Sequence, residues 1–288
     1  MANVRTIWDE SVEIPTTKKF GPLKYPVSDF ELPQKMNVKE PDLIFVMESF
    51  RKIRGLNRFK CPKAFDIQDP HIDTKRYRNY SYLEDYDYVF CRNKDYLNEF
   101  KGSIWLPESF DPDIILGMEE IRDIPISFIG NRNHPERAKM LSMLETKFGL
   151  QNPFAYNHEM AKILRRSKIV FNHTRNGDLN NRVFDALGSG AMLITQRIGN
   201  GLFDLFKEGE HLVTYRDIKE LENLTERYLY DEDERERIAD FGQTEAILNH
   251  TNLDRAKTVL ETCLGKNEAV EERWDYLKER IYRKNELL

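Results

Sequence analysis

Apolar positions along this chain come in short β-branched runs separated by stretches of helical periodicity, and that alternation predicts an α/β protein with parallel sheets. The first buried-strand pattern is Asp42–Met47 (DLIFVM), followed by Ala64–Ile67, Tyr88–Phe90 and Ser103–Leu106. A helix-like run, Asn93–Phe100, lies between the last two. Residues 1–36 carry Pro15, Pro22, Pro26 and Pro33 with little periodicity, which reads as an extended arm over a first domain. The segment Pro107–Ile124 is rich in loop signals and marks a boundary. A second series then starts with a strand at Pro125–Ile129, a loop at Gly130–Asn133 and a helix from Pro135 to Phe148. Proline suits that first helical turn because its missing N–H has no partner there anyway.

A further helix, Asn157–Ser167, leads into residues 168–196, where the pattern is clearest. Ile169-Val170-Phe171 is a strand, a polar loop follows, Arg182–Leu187 is a short helix broken by Gly188 and Gly190, and Ala191–Thr195 is a second strand. In such βαβ units ligands collect beyond the carboxyl ends of the strands. His173, Arg175, Arg182 and Asp185 fall at or just past that edge, and a cationic loop feeding a helix N-terminus suits an anion. The last strand is His211–Tyr215. Asp217-x-x-Glu220 has the spacing of a capping box and opens a helix to Tyr230. Helices over Asp231–Leu248 and Leu253–Leu264 follow, and Val270, Trp274, Leu277 and Ile281 place an amphipathic helix at the C-terminus. These boundaries divide the chain into an atypical, shortened N-terminal domain (1–120), a second domain (121–265) and a closing helical segment (266–288).

At 288 residues, 40% hydrophobic and 32% charged, the chain has the composition of an ordinary globular protein of one or two domains. No apolar run nears the ~20 residues that span a bilayer, and the N-terminus lacks signal-peptide order, so a cytoplasmic location is expected. Cys61, Cys91 and Cys263 are far apart and odd in number, as reduced, incidental thiols would be. The net charge of −5 gives no global argument for nucleic acid, but its distribution is uneven. Residues 51–78 hold nine Lys or Arg, including Arg51, Lys52, Arg54, Arg58, Lys60 and Lys63, against three acids. Such a patch either meets a polyanion or is a solvated surface balanced by acids elsewhere.

Four ordered segments give the second half its family resemblance: FIGNRNHPERAKML (128–141), NNRVFDALGSGAMLIT (180–195), HLVTYRDIKEL (211–221) and GQTEAILNHTNLDRA (242–256). They resemble the donor-binding domain of GT-B-fold glycosyltransferases, and within these the CgeB-like (spore maturation protein) family. The first half is less similar, through DIQDPHID and WLPESFDPD. Asp185 stands where the family usually has Glu, and Gly177 where many retaining enzymes have the first of two glutamates. The resemblance implies two Rossmann-like domains, a cleft between them and a C-terminal helix crossing back to the first domain. It implies a nucleotide-sugar donor, with a UDP-sugar favoured, no other cofactor and no required metal.

Carried onto this chain, the resemblance implies that Asp185 accepts from ribose hydroxyls and that Arg182 and Arg175 neutralise a diphosphate; the bland reading is a surface carboxylate with solvated arginines. His173 is a phosphate contact or a satisfied strand-end histidine. Gly130 and Asn131 offer backbone N–H groups, with Arg137 a further contact or a helix-surface charge, and Asn181, in the polar loop, is a further candidate donor contact. Gly188 chiefly permits the helix exit. Tyr215 and Arg216 lie where a base edge is held in related folds, while Asp217 caps a helix. In the first domain Asp69 and His71 are the candidates for acceptor activation, with a tight Asp-Pro turn as the alternative. Asp85-x-Asp87 and Asp111-x-Asp113 are discounted as metal motifs, Pro112 indicating a turn, and no His/Cys/Asp spacing supports a zinc site.

The expectation is therefore a glycosyltransferase acting on a hydroxyl acceptor, which could be polyanionic, such as hydroxylated-base DNA or a cell-surface polymer. The alternative is a catalytically silent nucleotide- or nucleic-acid-binding protein on the same scaffold.

Overall fold

A computed structural model of the chain describes residues 30–31, 41–47, 53–70, 81–117, 120–266 and 268–284. Most of the expected arm, together with Arg51, Lys52 and His71, lies outside these residues. The first half contains β1 (Phe30–Glu31), β2 (Ile44–Met47), β3 (Ile53–Arg54), β4 (Lys63–Ile67), β5 (Tyr88–Cys91) and β6 (Ile104–Trp105). Four of them form a parallel sheet in the order β2-β4-β5-β6, while β1 and β3 make a short parallel pair. The second half has β7 (Ile124–Ser127), β8 (Ser167–Asn172), β9 (Met192–Gln196) and β10 (Val213–Tyr215), all parallel in the order β10-β9-β8-β7.

A parallel strand covered on both faces reads as an unbroken apolar run, which is why Ile169-Val170-Phe171 and Met192-Leu193-Ile194 stand out in the sequence. All six of these side chains are fully buried. Successive residues point to opposite faces. Ile169, Phe171, Met192 and Ile194 pack with Leu141 and Leu144, whereas Val170 and Leu193 pack with Leu164, Val183 and Leu187. Burying each such side chain contributes roughly 1.5–3 kcal/mol.

The helices are α1 (Pro112–Ile115), α2 (Pro135–Phe148), α3 (Asn157–Arg166), α4 (Asn181–Gly188), α5 (Leu202–Leu205), α6 (Ile218–Tyr230), α7 (Glu232–Asn249), α8 (Asn252–Leu264) and α9 (Glu268–Lys284). Helix α2 runs from the proline to the glycine that ends it, Gly149 taking a left-handed φ of 68°. Asp217 caps α6 through the N–H groups of Lys219 and Glu220, both at 2.9 Å. The helix read over Asn93–Phe100 is instead a single 3-10 turn, Lys94–Tyr96. Asn93 does not cap it, because its amide donates to Gln68 O and receives from Asn200.

The two sheets are tied together by the connection after β6 and by α8. Val259 and Cys263 of α8 pack with Ala64, Phe90 and Leu106 of the first half, so this helix crosses to the first sheet. The final helix α9 lies beside it, with Lys257 bonded to Glu271 at 2.8 Å and Lys278 paired with Asp254 at 2.6 Å. Phe110, almost fully buried, exchanges backbone bonds with His250 and Asn252. Its ring lies 2.9 Å from where a Cβ on Gly188 would be, so this glycine permits a packing contact. Asn200 donates to Asn93 at 2.5 Å, and Lys94 pairs with Asp204 at 2.8 Å.

Candidate functional site

A cleft of about 420 Å³ opens where the carboxyl ends of both sheets face each other. Past β4 stand Gln68 and Asp69, past β5 Arg92 and Asn93, and past β6 Glu108. From the second half come Phe128–Asn131 beyond β7, Asn172 and His173 at the end of β8, and Asp178–Arg182 leading into α4. Strand polarity explains the convergence: parallel strands end on one edge, and the loops they release carry the polar residues.

The first-half wall is acidic around one half-buried cation. Arg92 Nη2 donates to Asp66 Oδ2 at 2.8 Å and its Nε to the same oxygen at 3.1 Å, while Nη1 pairs with Glu108. Burial alone would lower the Arg92 pKa, but the bonds to Asp66 and Glu108 outweigh it and the guanidinium stays charged. One cation faces two carboxylates, with Asp69 adding a third negative charge nearby. Burial accordingly pushes Glu108 up to about 7, against the opposing pull of Arg92. With its amide nitrogen turned to the carboxylate, Asn181 of the second half donates to Glu108 at 2.6 Å.

The opposite wall is cationic. Arg182 donates through Nε to Ile129 O at 3.2 Å and through Nη1 to Asp185 Oδ2 at 3.1 Å. Burial lowers the Arg182 pKa while Asp185 opposes the shift. Burial also raises Asp185 to about 6, with Arg182 opposing and Asp111 adding to it. Arg137 lies over the Phe128 ring with its guanidinium carbon 5.6 Å from the centroid, and donates to Asn131 O at 3.1 Å. Its Nε is shielded from solvent and meets no hydrogen-bond partner. Asn180, which precedes α4, makes no side-chain cap; Val183 N–H bonds to Asn180 O at 3.1 Å, which leaves the N–H groups of Asn181 and Arg182 as the first-turn donors for an anion. At the end of β8, His173 Nδ1 lies 2.7 Å from the Tyr215 hydroxyl. Burial holds the His173 imidazole near pKa 4, with Glu136 opposing and Arg137 and His134 adding to the depression.

Of the residues singled out from the sequence, Asp69, Gly130, Asn131, Arg137, His173, Asn181 and Arg182 line this cleft. Asp185 does not line it; its carboxylate sits behind Arg182. Arg175 is exposed at the rim, and Arg216 is turned outward and paired with Glu220. Tyr215 is fully buried behind His173, so its side chain offers no base edge to the cleft. Gly188 lies against Phe110. His71 falls outside the described residues. The basic run is likewise not part of the lining: Lys63 starts β4, at the opposite end of the strand from Gln68, and none of Arg54, Arg58 or Lys60 borders the cleft.

Sequence reading missed Arg92, Asn93 and Glu108. Arg92 stands two residues past the Tyr88–Phe90 run, after Cys91, and the rule that ligand contacts sit past strand ends would have found it. Glu108 lies within WLPESFDPD, a segment noted for its likeness but not for its acid.

Residues 116–261 match a protein-family model described as "Glycosyl transferase-like". A comparison of the sequence with curated proteins returned no match. Among solved structures, HepE from Anabaena in complex with UDP and glucose is 12% identical, with a TM-score of 0.57 over 77% of each chain. Sucrose-phosphate synthase from Thermosynechococcus elongatus is 12% identical, at 0.56 over 77% of this chain and 73% of that one. A glycosyltransferase from Rickettsia africae is 11% identical, at 0.54 over 79% and 78%. At such identities the likeness establishes the shared fold, the GT-B arrangement of two parallel α/β sheets. Among the described residues no helix is long and apolar enough to cross a membrane.

Proposed function

This chain belongs to the glycosyl transferase-like family, and we propose that it moves a sugar from a nucleotide sugar, a UDP-sugar in the first instance, to a hydroxyl acceptor. The observation that carries the reading is the polarity of the cleft: Arg137 and Arg182 on one wall, Asp69 and Glu108 on the other. The structural neighbour crystallised with UDP and glucose supports the choice of donor.

In this reading the donor diphosphate lies against Arg137, Arg182 and the first-turn N–H groups of α4. Developing charge on the departing UDP is greatest as the bond from the sugar anomeric carbon to the phosphate oxygen breaks, and preorganised cations stabilise it most at that point. The acceptor oxygen bonds to the anomeric carbon and its proton passes to Asp69. His71 is proposed, from the sequence alone, as a second group for acceptor activation. Glu108, held between Arg92 and Asn181, links the acceptor wall to the helix that carries Arg182. Arginines supply the positive charge, so this scheme requires no metal. The segments over 128–141 and 180–195 favour the CgeB-like branch of the family. A polyanionic acceptor has less support than a neutral one, because the described cations of the basic run lie away from the cleft.

The test is a panel of nucleotide sugars screened by thermal shift and by slow hydrolysis. We expect one UDP-sugar to raise the melting temperature and to be turned over, with both effects lost in Arg182→Ala. Failure of every nucleotide sugar to stabilise the protein would overturn the reading. Stabilisation without turnover, in the presence of acceptor candidates, would instead mark a silent scaffold.

A further inference from the structure

We infer that His134, Glu136 and His173 bind a divalent ion of the zinc class at the edge of the cleft. Two of the three stand at the start of α2: His134 immediately precedes it and Glu136 is its second residue. His173 follows the end of β8, which brings it to the same point from the neighbouring loop. One ligand atom from each residue lies within 4.8 Å of the others, and His173 Nε2 is 4.0 Å from Glu136 Oε2. The two imidazole rings have centroids 6.0 Å apart and are inclined by 34°. Rings bonded to one ion through single nitrogens, each at about 2.0–2.1 Å, stand at a comparable separation.

The protonation pattern favours this use. The Tyr215 hydroxyl donates to Asn172 O at 3.3 Å, so it accepts from His173 Nδ1–H at 2.7 Å. That leaves the His173 Nε2 lone pair free on the side of Glu136. An imidazole fixed by its second nitrogen is the usual arrangement for a metal ligand. His134 Nδ1 is shielded from solvent and meets no hydrogen-bond partner, so it too has a lone pair to give. Glu136 is 61% exposed in the first turn of the helix, and its side chain has the freedom to close the remaining distance to an ion.

Glu136 also decides the sign of the ligand. An anion at this point would meet a carboxylate, whereas a dication gains one charged and two neutral donors of the type that zinc prefers. The nearby Arg137 opposes a cation and so weakens the site. Three protein donors leave at least one coordination position for water or an anionic ligand. The histidines are 39 residues apart in the chain, so no local spacing announces the site.

The experiment uses the full chain without an affinity tag, stripped with chelator, and titrated with Co²⁺ and Zn²⁺. We expect one Co²⁺ per chain with visible absorption bands, displaced by Zn²⁺ at one equivalent. Glu136→Gln and His134→Ala should each weaken binding at least tenfold, and Tyr215→Phe should weaken it by about tenfold through loss of imidazole orientation. His158→Ala, at an exposed histidine outside the cluster, should leave it unchanged. Glu136→Gln is an exposed, conservative change, so circular dichroism should show an intact fold. The inference is overturned if the wild type binds no stoichiometric ion, or if binding survives both Glu136→Gln and His134→Ala. UDP binding by the metal-free protein is measured separately and reports on the donor site alone.

Discussion

Arg182 donates to Asp185 at 3.1 Å, three residues further along the same helix, and this pair organises the cationic wall. The carboxylate that the resemblance assigns to ribose holds the guanidinium that borders the cleft. Loop chemistry does the rest, since Ile129 O fixes Arg182 Nε from the adjacent strand end.

Asp185→Ala removes the anion beside a mostly buried arginine. Losing a charged hydrogen bond of this kind costs about 2–3 kcal/mol, to be read as a lowered urea midpoint with an unchanged slope. UDP affinity should fall as well, because Arg182 loses its orientation. A variant as stable as the wild type would show that Asp185 does not hold Arg182.

Arg137→Ala and Arg182→Ala should each weaken UDP binding roughly tenfold to a hundredfold by calorimetry, the range expected for one charge-assisted contact. Arg216→Ala, at an outward-facing residue paired with Glu220, should have no effect. Equal losses in all three would point to long-range charge rather than contact.

Asp69→Asn should lower turnover by at least a hundredfold while leaving UDP affinity within twofold, since its carboxylate faces the acceptor side. A fully active variant would transfer the proton-accepting role to another group.

Glu108 gives a pH dependence whose sign is determined by burial. Its folded pKa, about 7, lies above the ordinary glutamate value near 4.3. Its contribution to stability is therefore complete at low pH and is lost as pH rises through about 7. Compared with Glu108→Gln, the wild type should lose stability between about pH 4.5 and 7.5, by up to a few kcal/mol. Parallel curves for the two proteins would show that the pair with Arg92 keeps Glu108 ionised throughout.

Gly201→Ala tests the contact between the two halves. Gly201 has a φ of 83°, and a Cβ there would come within 2.3 Å of the Trp105 ring. Left-handed strain and the clash together should cost about 2–4 kcal/mol and shift the tryptophan fluorescence. Wild-type stability would mean that the indole moves away freely.

The alternating order of strands and helices in the second half is written in the residues themselves, because each parallel strand buried on both faces leaves a continuous apolar run. The ends of α2 and α6 were also legible, through Pro135, Gly149 and Asp217, since caps act over a few residues. So was the segment around Arg182. Tertiary structure alone decided which polar groups meet. Arg92 and Asp66 are 26 residues apart, Glu108 and Asn181 are brought together only when the two halves close, and His134 reaches His173 across two elements. It also turned Asp185 toward Arg182 and buried Tyr215, outcomes set by which side of a helix or strand faces the core. Local propensity is written in neighbouring residues, whereas the charge, proton affinity and partners of a buried group depend on atoms that the chain delivers from far away.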